Sequence, residues 1–194
     1  VFIGLTNLPP MANGGMQRGL YGRAESPYNA DFLTSAWASG SSNGSGTATA
    51  ASFAAFGLAE ETWSSGRAPA SCNALCAYTP SRGLISTRGN WPLIPTMDVV
   101  VPHTRTMADM CEVVEALVAV DTDTSGDFWR MQPWVQLPDP LTVRPASFTA
   151  LHSDAVAVAA TTRPLDGLRI AVPRMFIGTD AEQGTGVGVG ASLG

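Results

Sequence analysis

Lysine is absent from this chain of 194 residues, and all 11 of its basic residues are arginines. Charged residues make up only 14% of the composition, and the formal net charge is −5. No run of basic residues exists that could neutralise the phosphates of a nucleic acid. The composition therefore argues against a nucleic-acid-binding protein.

Long apolar runs and metal-ligand patterns are missing as well. No stretch approaches the roughly 20 uninterrupted apolar residues that span a bilayer, so no membrane span is predicted. Three cysteines and two histidines do not form the paired ligand pattern of a zinc site. We expect buried thiols that act as small apolar side chains, no metal and no cofactor. An odd cysteine count favours a reducing compartment such as the cytoplasm.

The apolar content, at 45%, is high for a protein of this length and predicts one domain with a substantial core. The chain starts on Val1 rather than Met, and the segment 184–190 is rich in glycine. We therefore expect that both ends are truncated. Breaker residues separate short apolar runs, which predict strands at residues 1–5, 74–78, 83–86, 97–101 and 168–173.

Helical patterns alternate with these strands and predict an α/β fold. An uncharged run of small residues from 47 to 57 predicts a central, buried helix that packs close to neighbouring backbone, with Ser42 or Asn43 as its N-cap. A second helix should begin after Thr106, with Asp109 completing a capping box. A weaker helix is predicted at 152–160, and a loop at 59–70.

Serines are abundant, but the usual partners of a nucleophilic serine are not evident. The two histidines, His103 and His152, lie in no catalytic motif, and a lone histidine is more often structural. The sequence around Ser65 lacks the G-x-S-x-G pattern of α/β-hydrolases. No Gly-Lys-Ser/Thr follows Gly44-Ser45-Gly46, so it is not a phosphate-binding loop.

Two segments resemble the serine motifs of the amidase signature family. Gly40-Ser41-Ser42-Asn43-Gly44-Ser45 before the small-residue helix is similar to the family's Gly-Ser-Ser-x-Gly-Ser core. The segment 61–70, Glu-Thr-Trp-Ser-Ser-Gly-Arg-Ala-Pro-Ala, is similar to its Asp-x-Gly-Gly-Ser-x-Arg-x-Pro-Ala segment. The serines at 41 and 65 are 24 residues apart, which is the family spacing. Collinear matches extend the resemblance over about residues 3–175, at 6–9, 78–86, 96–98, 102–109 and 165–173.

The resemblance implies an α/β/α layered fold with a central mixed β-sheet flanked by helices. Residues 1–194 would be a single core fragment of that domain, with the glycine-rich segment 176–194 poorly defined. No cofactor or metal is implied. The implied partner is a small amide substrate whose identity the sequence does not reveal, and a homodimer is left open.

The resemblance also assigns roles to individual residues. Ser65 would be the nucleophile, and Ser41, after a cis peptide bond, would relay protons between Ser65 and a buried lysine. Such a lysine acts as a base only when it is neutral. The remaining roles are the oxyanion-hole amides (Thr62, Trp63, Ser64, Ser65), the supports (Ser42, Arg67) and the substrate-lining turn (Met11, Ala12).

Several positions depart from the family pattern. Trp63 and Ser64 replace two glycines, and Gly66 replaces a β-branched residue, so we predict that backbone freedom has moved to Gly66. The family lysine lies upstream of Thr6, in a part not covered by this chain. The predicted function is hydrolysis of a carboxamide, acting on a linear amide C–N bond. The alternatives are an amidotransferase A-type subunit, which passes ammonia to a partner protein, and an inactive family member that acts as a scaffold.

Overall fold

The computed structural model describes residues 1–12, 21–35, 40–161 and 163–171. The elements in chain order are a 3-10 turn at Pro10–Ala12, α1 (Asn43–Ala50), β1 (Phe56–Glu61), α2 (Arg67–Cys72), β2 (Cys76–Ala77), β3 (Val99–Thr104), α3 (Met107–Leu117), α4 (Pro140–Val143) and α5 (Phe148–Ala159). The predicted α/β class is confirmed.

The three strands form one sheet in the order β1-β3-β2. Both pairings are antiparallel, with Ala59 opposite Val101 and Ala77 opposite His103. The mixed sheet that the resemblance implies for a whole domain is therefore not seen within the described strands. β3 is central, and all six of its residues are buried.

Helices cover both faces of β3, which gives the expected α/β/α layering. Val100 packs on one face with Met110 and Val114 of α3. The alternate residues of β3 point to the opposite face, where α1 and α2 lie. On that face a Cβ at Gly66 would approach the Val101 side chain to 2.6 Å.

The uncharged helix is central and buried, as predicted, but it ends at Ala50 rather than at residue 57. Arg105 donates from Nη1 to the carbonyls of Thr49 and Ala54, at 2.8 and 2.9 Å, and so binds carbonyls at the end of α1. Ser42 occupies the N-cap position, but its side chain does not cap the helix.

The prediction of a loop at 59–70 is wrong, because β1 and α2 occupy most of that segment. The alternation of apolar and polar residues does not predict β1 correctly, because the apolar Phe56 and Leu58 are exposed, whereas the charged Glu61 is only 3% exposed. α2 contains Pro69 in its first turn, where the missing N–H of proline is tolerated.

The predicted strand at 97–101 is confirmed, but it continues through Pro102 to Thr104. Proline lacks an N–H group, but its carbonyl still joins the sheet by accepting from Tyr78 N at 3.4 Å. The strand at 74–78 is confirmed only for Cys76 and Ala77. The strand predicted at 83–86 is a turn, in which Gly83 has φ +80° and lies against Leu137.

The predicted cap at Thr106 is confirmed, but Asp109 binds the Thr106 hydroxyl rather than the Thr106 backbone nitrogen that a full capping box would use. Thr106 Oγ1 accepts from Asp109 N at 3.1 Å and donates to Asp109 Oδ2 at 2.8 Å. α3 follows from Met107. The helix predicted at 152–160 is also present, but it begins at Phe148.

The strand predicted at 1–5 is wrong: these residues form no strand and are exposed, because no neighbouring strand among the described residues pairs with them. The described part of the strand predicted at 168–173 is not a strand either, and residues 172 and 173 lie outside the described residues, as does the segment 176–194.

The chain divides into two compact units, Val1–Val156 and Ala157–Gly194. The first contains the sheet and α1 to α4. In the described part of the second, the chain forms turns such as the one closed by Leu168 N donating to Leu165 O at 3.1 Å. None of the described helices is long and apolar enough to cross a bilayer.

Replacement of Gly44 by alanine should destabilise the protein. A Cβ there would stand 2.4 Å from the Asn7 carbonyl oxygen and 2.5 Å from its nitrogen, so backbone must move. We expect a loss of about 1–3 kcal/mol of unfolding free energy in urea, despite the better helix propensity of alanine. Gly4→Ala is the control, since no atom lies within 4 Å of the new methyl group. Equal stability of the two variants would contradict the close packing of α1 on Asn7.

Candidate active site

The two serine motifs meet at the beginning of α1. The peptide bond between Gly40 and Ser41 is cis, the geometry that the resemblance implies at this position. Ser41 is buried, with 4% of its surface exposed. Ser42 N donates to the carbonyl of Ser65 at 3.3 Å, which joins the residue after Ser41 directly to the second motif.

The Ser42 side chain ties the first motif to β1. Its Oγ donates to the carbonyl of Glu60 at 3.0 Å and accepts from the backbone nitrogen of Glu60 at 3.2 Å. This hydroxyl therefore satisfies both main-chain groups of one strand residue. The side chain is thus bound to β1 and makes no capping hydrogen bond to α1.

The carboxylate of Glu61 holds the turn that follows Ser65. Its Oε2 accepts from the backbone nitrogens of Gly66 and Arg67, at 3.1 and 2.9 Å. Its Oε1 accepts from Thr79 Oγ1 at 3.3 Å. A buried charge with several charge-assisted hydrogen bonds is stabilised rather than orphaned. Glu61 therefore fixes the start of α2 from the last position of β1.

Arg67 contacts the same loop from outside. Its Nη2 donates to the carbonyl of Trp63, and its Nε lies 3.6 Å from Glu61 Oε1. The Arg67 side chain is 61% exposed, so solvent screens the ion pair, and the pair adds little stability. The hydrogen bond to the Trp63 carbonyl is consistent with the predicted role of Arg67 in supporting the loop that carries Ser65.

Asp98 ties the loop to the segment before β3. Its Oδ1 accepts from Thr62 Oγ1 at 2.6 Å, and its Oδ2 accepts from the backbone nitrogens of Leu93 and Ile94, at 2.8 and 2.9 Å. Asp98 is 3% exposed, and these donors compensate for its burial. The loop that carries Ser65 is thus anchored at both ends by buried carboxylates.

The loop residues themselves differ in exposure. Trp63 is 67% exposed, whereas Thr62, Ser64 and Ser65 are half-buried. The Ser64 carbonyl accepts from Ala68 N at 2.9 Å, which begins α2. Carbonyls of the loop are thus bound by the protein itself. The role of its amides as an oxyanion hole stays a prediction.

The predicted backbone freedom at Gly66 is wrong. Its φ is −88°, a value that any residue can adopt. Glycine is required there for space, because a Cβ would lie 2.6 to 2.7 Å from all three apolar side-chain atoms of Val101. A β-branched residue at position 66 would therefore collide with β3.

His103 contacts the same turn. It is fully buried in β3, and its Nε2 lies 2.7 Å from the carbonyl oxygen of Gly66. Burial lowers the pKa of His103, although the hydrogen bond to Gly66 and the charge of Glu61 act in the opposite direction. Because a carbonyl oxygen can only accept, Nε2 is the hydrogen-bond donor to the turn.

The substrate-lining pair lies in a different part of the chain. Met11 and Ala12 belong to the 3-10 turn Pro10–Ala12, and Ala12 has a φ of 52°. Thr6 and Asn7 approach the Gly44 side of α1, so the amino-terminal segment does reach the first serine motif. The role of Met11 and Ala12 in lining a pocket stays a prediction.

Sequence reasoning missed the anchoring residues Glu61 and Asp98 and treated His103 as structural. One feature of the sequence could have indicated their roles: each of these three polar residues lies in or at the end of a short apolar run, close to a motif. The cysteines are free thiols, but the prediction that they are buried is wrong for Cys72, which is exposed; Cys76 and Cys111 are partly buried, and Cys76 packs against the core cluster of α3. No cluster of ligand side chains in the described ranges could hold a metal ion.

Glu60 faces the opposite side of β1 from Glu61. It borders a cavity of about 210 Å³ whose walls are mostly apolar (Pro92, Pro95, Phe128 and Met131) and which also includes Asp98. Burial, followed by the charge of Asp98, raises the pKa of Glu60 to about 7. Its Oε1 is buried and has no hydrogen-bond partner among the described residues. Glu60 is therefore a destabilising charge at high pH.

Comparison with known proteins identifies the class to which this fold and this pair of serine motifs belong. The family model for amidases matches residues 1–185. The chain belongs to the amidase family.

Individual relatives agree with this assignment. The A-type subunit of the mitochondrial glutamyl-tRNA(Gln) amidotransferase of Drosophila pseudoobscura pseudoobscura is 33% identical over 142 residues, which cover 72% of this chain and 28% of the relative. The crystal structure of native peptide amidase from Stenotrophomonas maltophilia is 28% identical with a TM-score of 0.50, covering 60% of this chain and 23% of that one. A 6-aminohexanoate cyclic dimer hydrolase, at 23% identity and a TM-score of 0.55 over 63% of this chain and 26% of that one, shares the fold. The chain thus spans less than a third of the length of each of these relatives.

Replacement of Glu60 by glutamine should stabilise the protein at high pH only. The pKa of Glu60 is raised on folding from 4.5 to about 7, so its stability contribution is complete below 4.5 and is lost as the pH rises through 7. We expect Glu60→Gln to raise the melting temperature at about pH 8 and to have little effect at about pH 4.5. Glu112→Gln, at an exposed position of α3, is the control. An equal effect of Glu60→Gln at both pH values would contradict the shifted titration.

Proposed function

We propose that the full-length protein hydrolyses carboxamides through an acyl-enzyme at Ser65. The observation that carries the proposal is the hydrogen bond from Ser42 N to the Ser65 carbonyl, at 3.3 Å. It brings two motifs that are 24 residues apart to one place, at the buried beginning of α1. Membership of the amidase family and the similarity to a peptide amidase support an amide as the substrate.

In the proposed reaction, Ser65 Oγ attacks the carbonyl carbon of the amide. Its proton passes to Ser41 as the Ser41 proton passes to a neutral lysine, which is not among the residues of this chain. The backbone amides of residues 62–65 stabilise the oxyanion, and one such donor is worth about 3 kcal/mol of barrier. When the C–N bond breaks, the relay returns a proton to the leaving nitrogen. Water then hydrolyses the ester by the same relay.

The surroundings of Ser65 suit this role. Burial and hydrogen bonds hold the loop in place, through Glu61, Asp98 and the Arg67 contact with the Trp63 carbonyl. A preorganised loop needs no reorganisation when charge develops in the transition state. Trp63, which is 67% exposed beside Ser65, offers an aromatic wall to the substrate.

Removal of the nucleophile should abolish covalent labelling. We expect a fluorophosphonate probe to label the full-length protein at Ser65, and the Ser65→Ala variant to show no labelling. Ser41→Ala should label at least about 100-fold more slowly, because the proton relay is lost. The control is Ser71→Ala, at an exposed position on α2, which should label at the wild-type rate.

Two outcomes would contradict this proposal. Labelling that persists in Ser65→Ala would assign the nucleophile to another serine. Failure of the wild-type full-length protein to react, under conditions in which known amidases do, would favour an inactive scaffold instead.

An amidotransferase component is the second candidate, and the curated relative at 33% identity carries that name. In that function the ammonia released at Ser65 passes to a partner protein instead of to solvent. A partner that co-purifies in a fixed ratio with the full-length protein, and that is required for consumption of the amide, would favour this candidate. We expect instead that the protein purified by itself releases ammonia or an amine from a panel of carboxamides. That expectation would be overturned if the protein purified without a partner showed no turnover and addition of the partner restored it.

A further inference from the structure

We infer that His103 is a positioning residue for the nucleophile, because its Nε2–H group binds the carbonyl of Gly66, the residue that follows Ser65. The expected effect of His103 on catalysis rests on the proposed function of Ser65 as the nucleophile. The contact itself is a property of the fold and can be measured without any substrate.

The geometry of the ring fixes its protonation. Nε2 lies 2.7 Å from a carbonyl oxygen, which can only accept, so Nε2 carries a proton. Nδ1 is buried and has no hydrogen-bond partner among the described residues. A proton on Nδ1 would be an unsatisfied buried donor, at a cost of about 1–3 kcal/mol. The neutral tautomer protonated at Nε2 is therefore favoured, and the lowered pKa of the imidazole agrees with it.

The Gly66 carbonyl depends on this donor. Its other donor is Ala70 N, at the longer distance of 3.3 Å, in a helix of only six residues. The Gly66 nitrogen is held by Glu61 Oε2 at 3.1 Å. Both polar groups of Gly66 are thus bound by buried side chains from two neighbouring strands. The Glu61 contact thus orients the peptide between Ser65 and Gly66, and the His103 contact orients the next peptide, between Gly66 and Arg67.

Packing of apolar atoms explains why Gly66 lies against β3, but it does not explain why residue 103 is a histidine. Val101, two residues earlier on the same face of β3, fills the space beside Gly66 with apolar atoms. An apolar side chain at position 103 would fill the core without the cost of burying two ring nitrogens. His103 is the buried side chain that supplies a hydrogen-bond donor to the Gly66 carbonyl, and this donor aligns the end of the nucleophile loop.

The test compares His103→Met with His103→Gln in the full-length protein. The two replacements have similar length and volume, but only glutamine can donate to the Gly66 carbonyl. A displacement of a reacting group by about 1 Å costs roughly 100-fold in rate. We expect kcat and the labelling rate at Ser65 to fall about 10- to 100-fold in His103→Met with little change in KM, and glutamine to restore most of the loss. The same replacements at His152, half-buried on α5, are the control.

Hydrogen exchange supplies a readout that does not need catalysis. Amides of residues 62–68 and of Ala70 should exchange faster in His103→Met than in the wild type, and His103→Gln should resemble the wild type. Equal losses in both variants would assign the effect to ring packing and would overturn the inference, as would wild-type behaviour of His103→Met. If the wild-type protein does not label at Ser65, the proposed function fails, and the exchange comparison still decides the contact.

The wild-type protein provides an independent measurement if His103→Met does not fold. Nitrogen-15 NMR of the His103 ring should show the neutral form protonated at Nε2 near neutral pH. A ring protonated only at Nδ1 could not donate to Gly66, and that result would overturn the inference.

Discussion

The carboxylate of Glu61 is the constraint on which the arrangement of the site depends. It ends β1 and accepts from the backbone nitrogens of Gly66 and Arg67, so the residues between them must turn back on the strand. That turn carries Ser65 and begins α2. Because Glu61 is 3% exposed, its charge is compatible with burial only while these donors are in place. The loop conformation and the burial of Glu61 therefore require each other.

β3 also constrains the turn after Ser65. It is the central strand, and it presents Val101 and His103 to the turn after Ser65. Val101 excludes any side chain at position 66, while His103 binds the carbonyl of that residue. The glycine after the nucleophile is explained by contact with β3, since its backbone is in an ordinary conformation. Substitutions at 66, 101 and 103 should therefore be strongly coupled.

Sequence reasoning found what depends on local pattern and missed what depends on side-chain hydrogen bonds across the fold. The cap at Thr106 and the small-residue helix were predicted because their signals are local and unambiguous. β1 was missed because its buried residues are Ala59 and Glu61 while its large apolar ones are exposed. The burial of Glu61 becomes understandable only when the donors five and six residues later are known to face it.

The buried acids also bear on the chemistry proposed for Ser65. A lysine acts as a base only when it is neutral, and a nearby carboxylate without partners would favour its charged form. The two carboxylates that bind the nucleophile loop are occupied: Glu61 accepts from two backbone nitrogens and Asp98 from two more as well as from the Thr62 hydroxyl. Their negative charge is spread over these donors, which weakens its effect on a neighbouring amine. The hydrogen bonds that hold the loop in place thus also stabilise the charges of these two buried carboxylates.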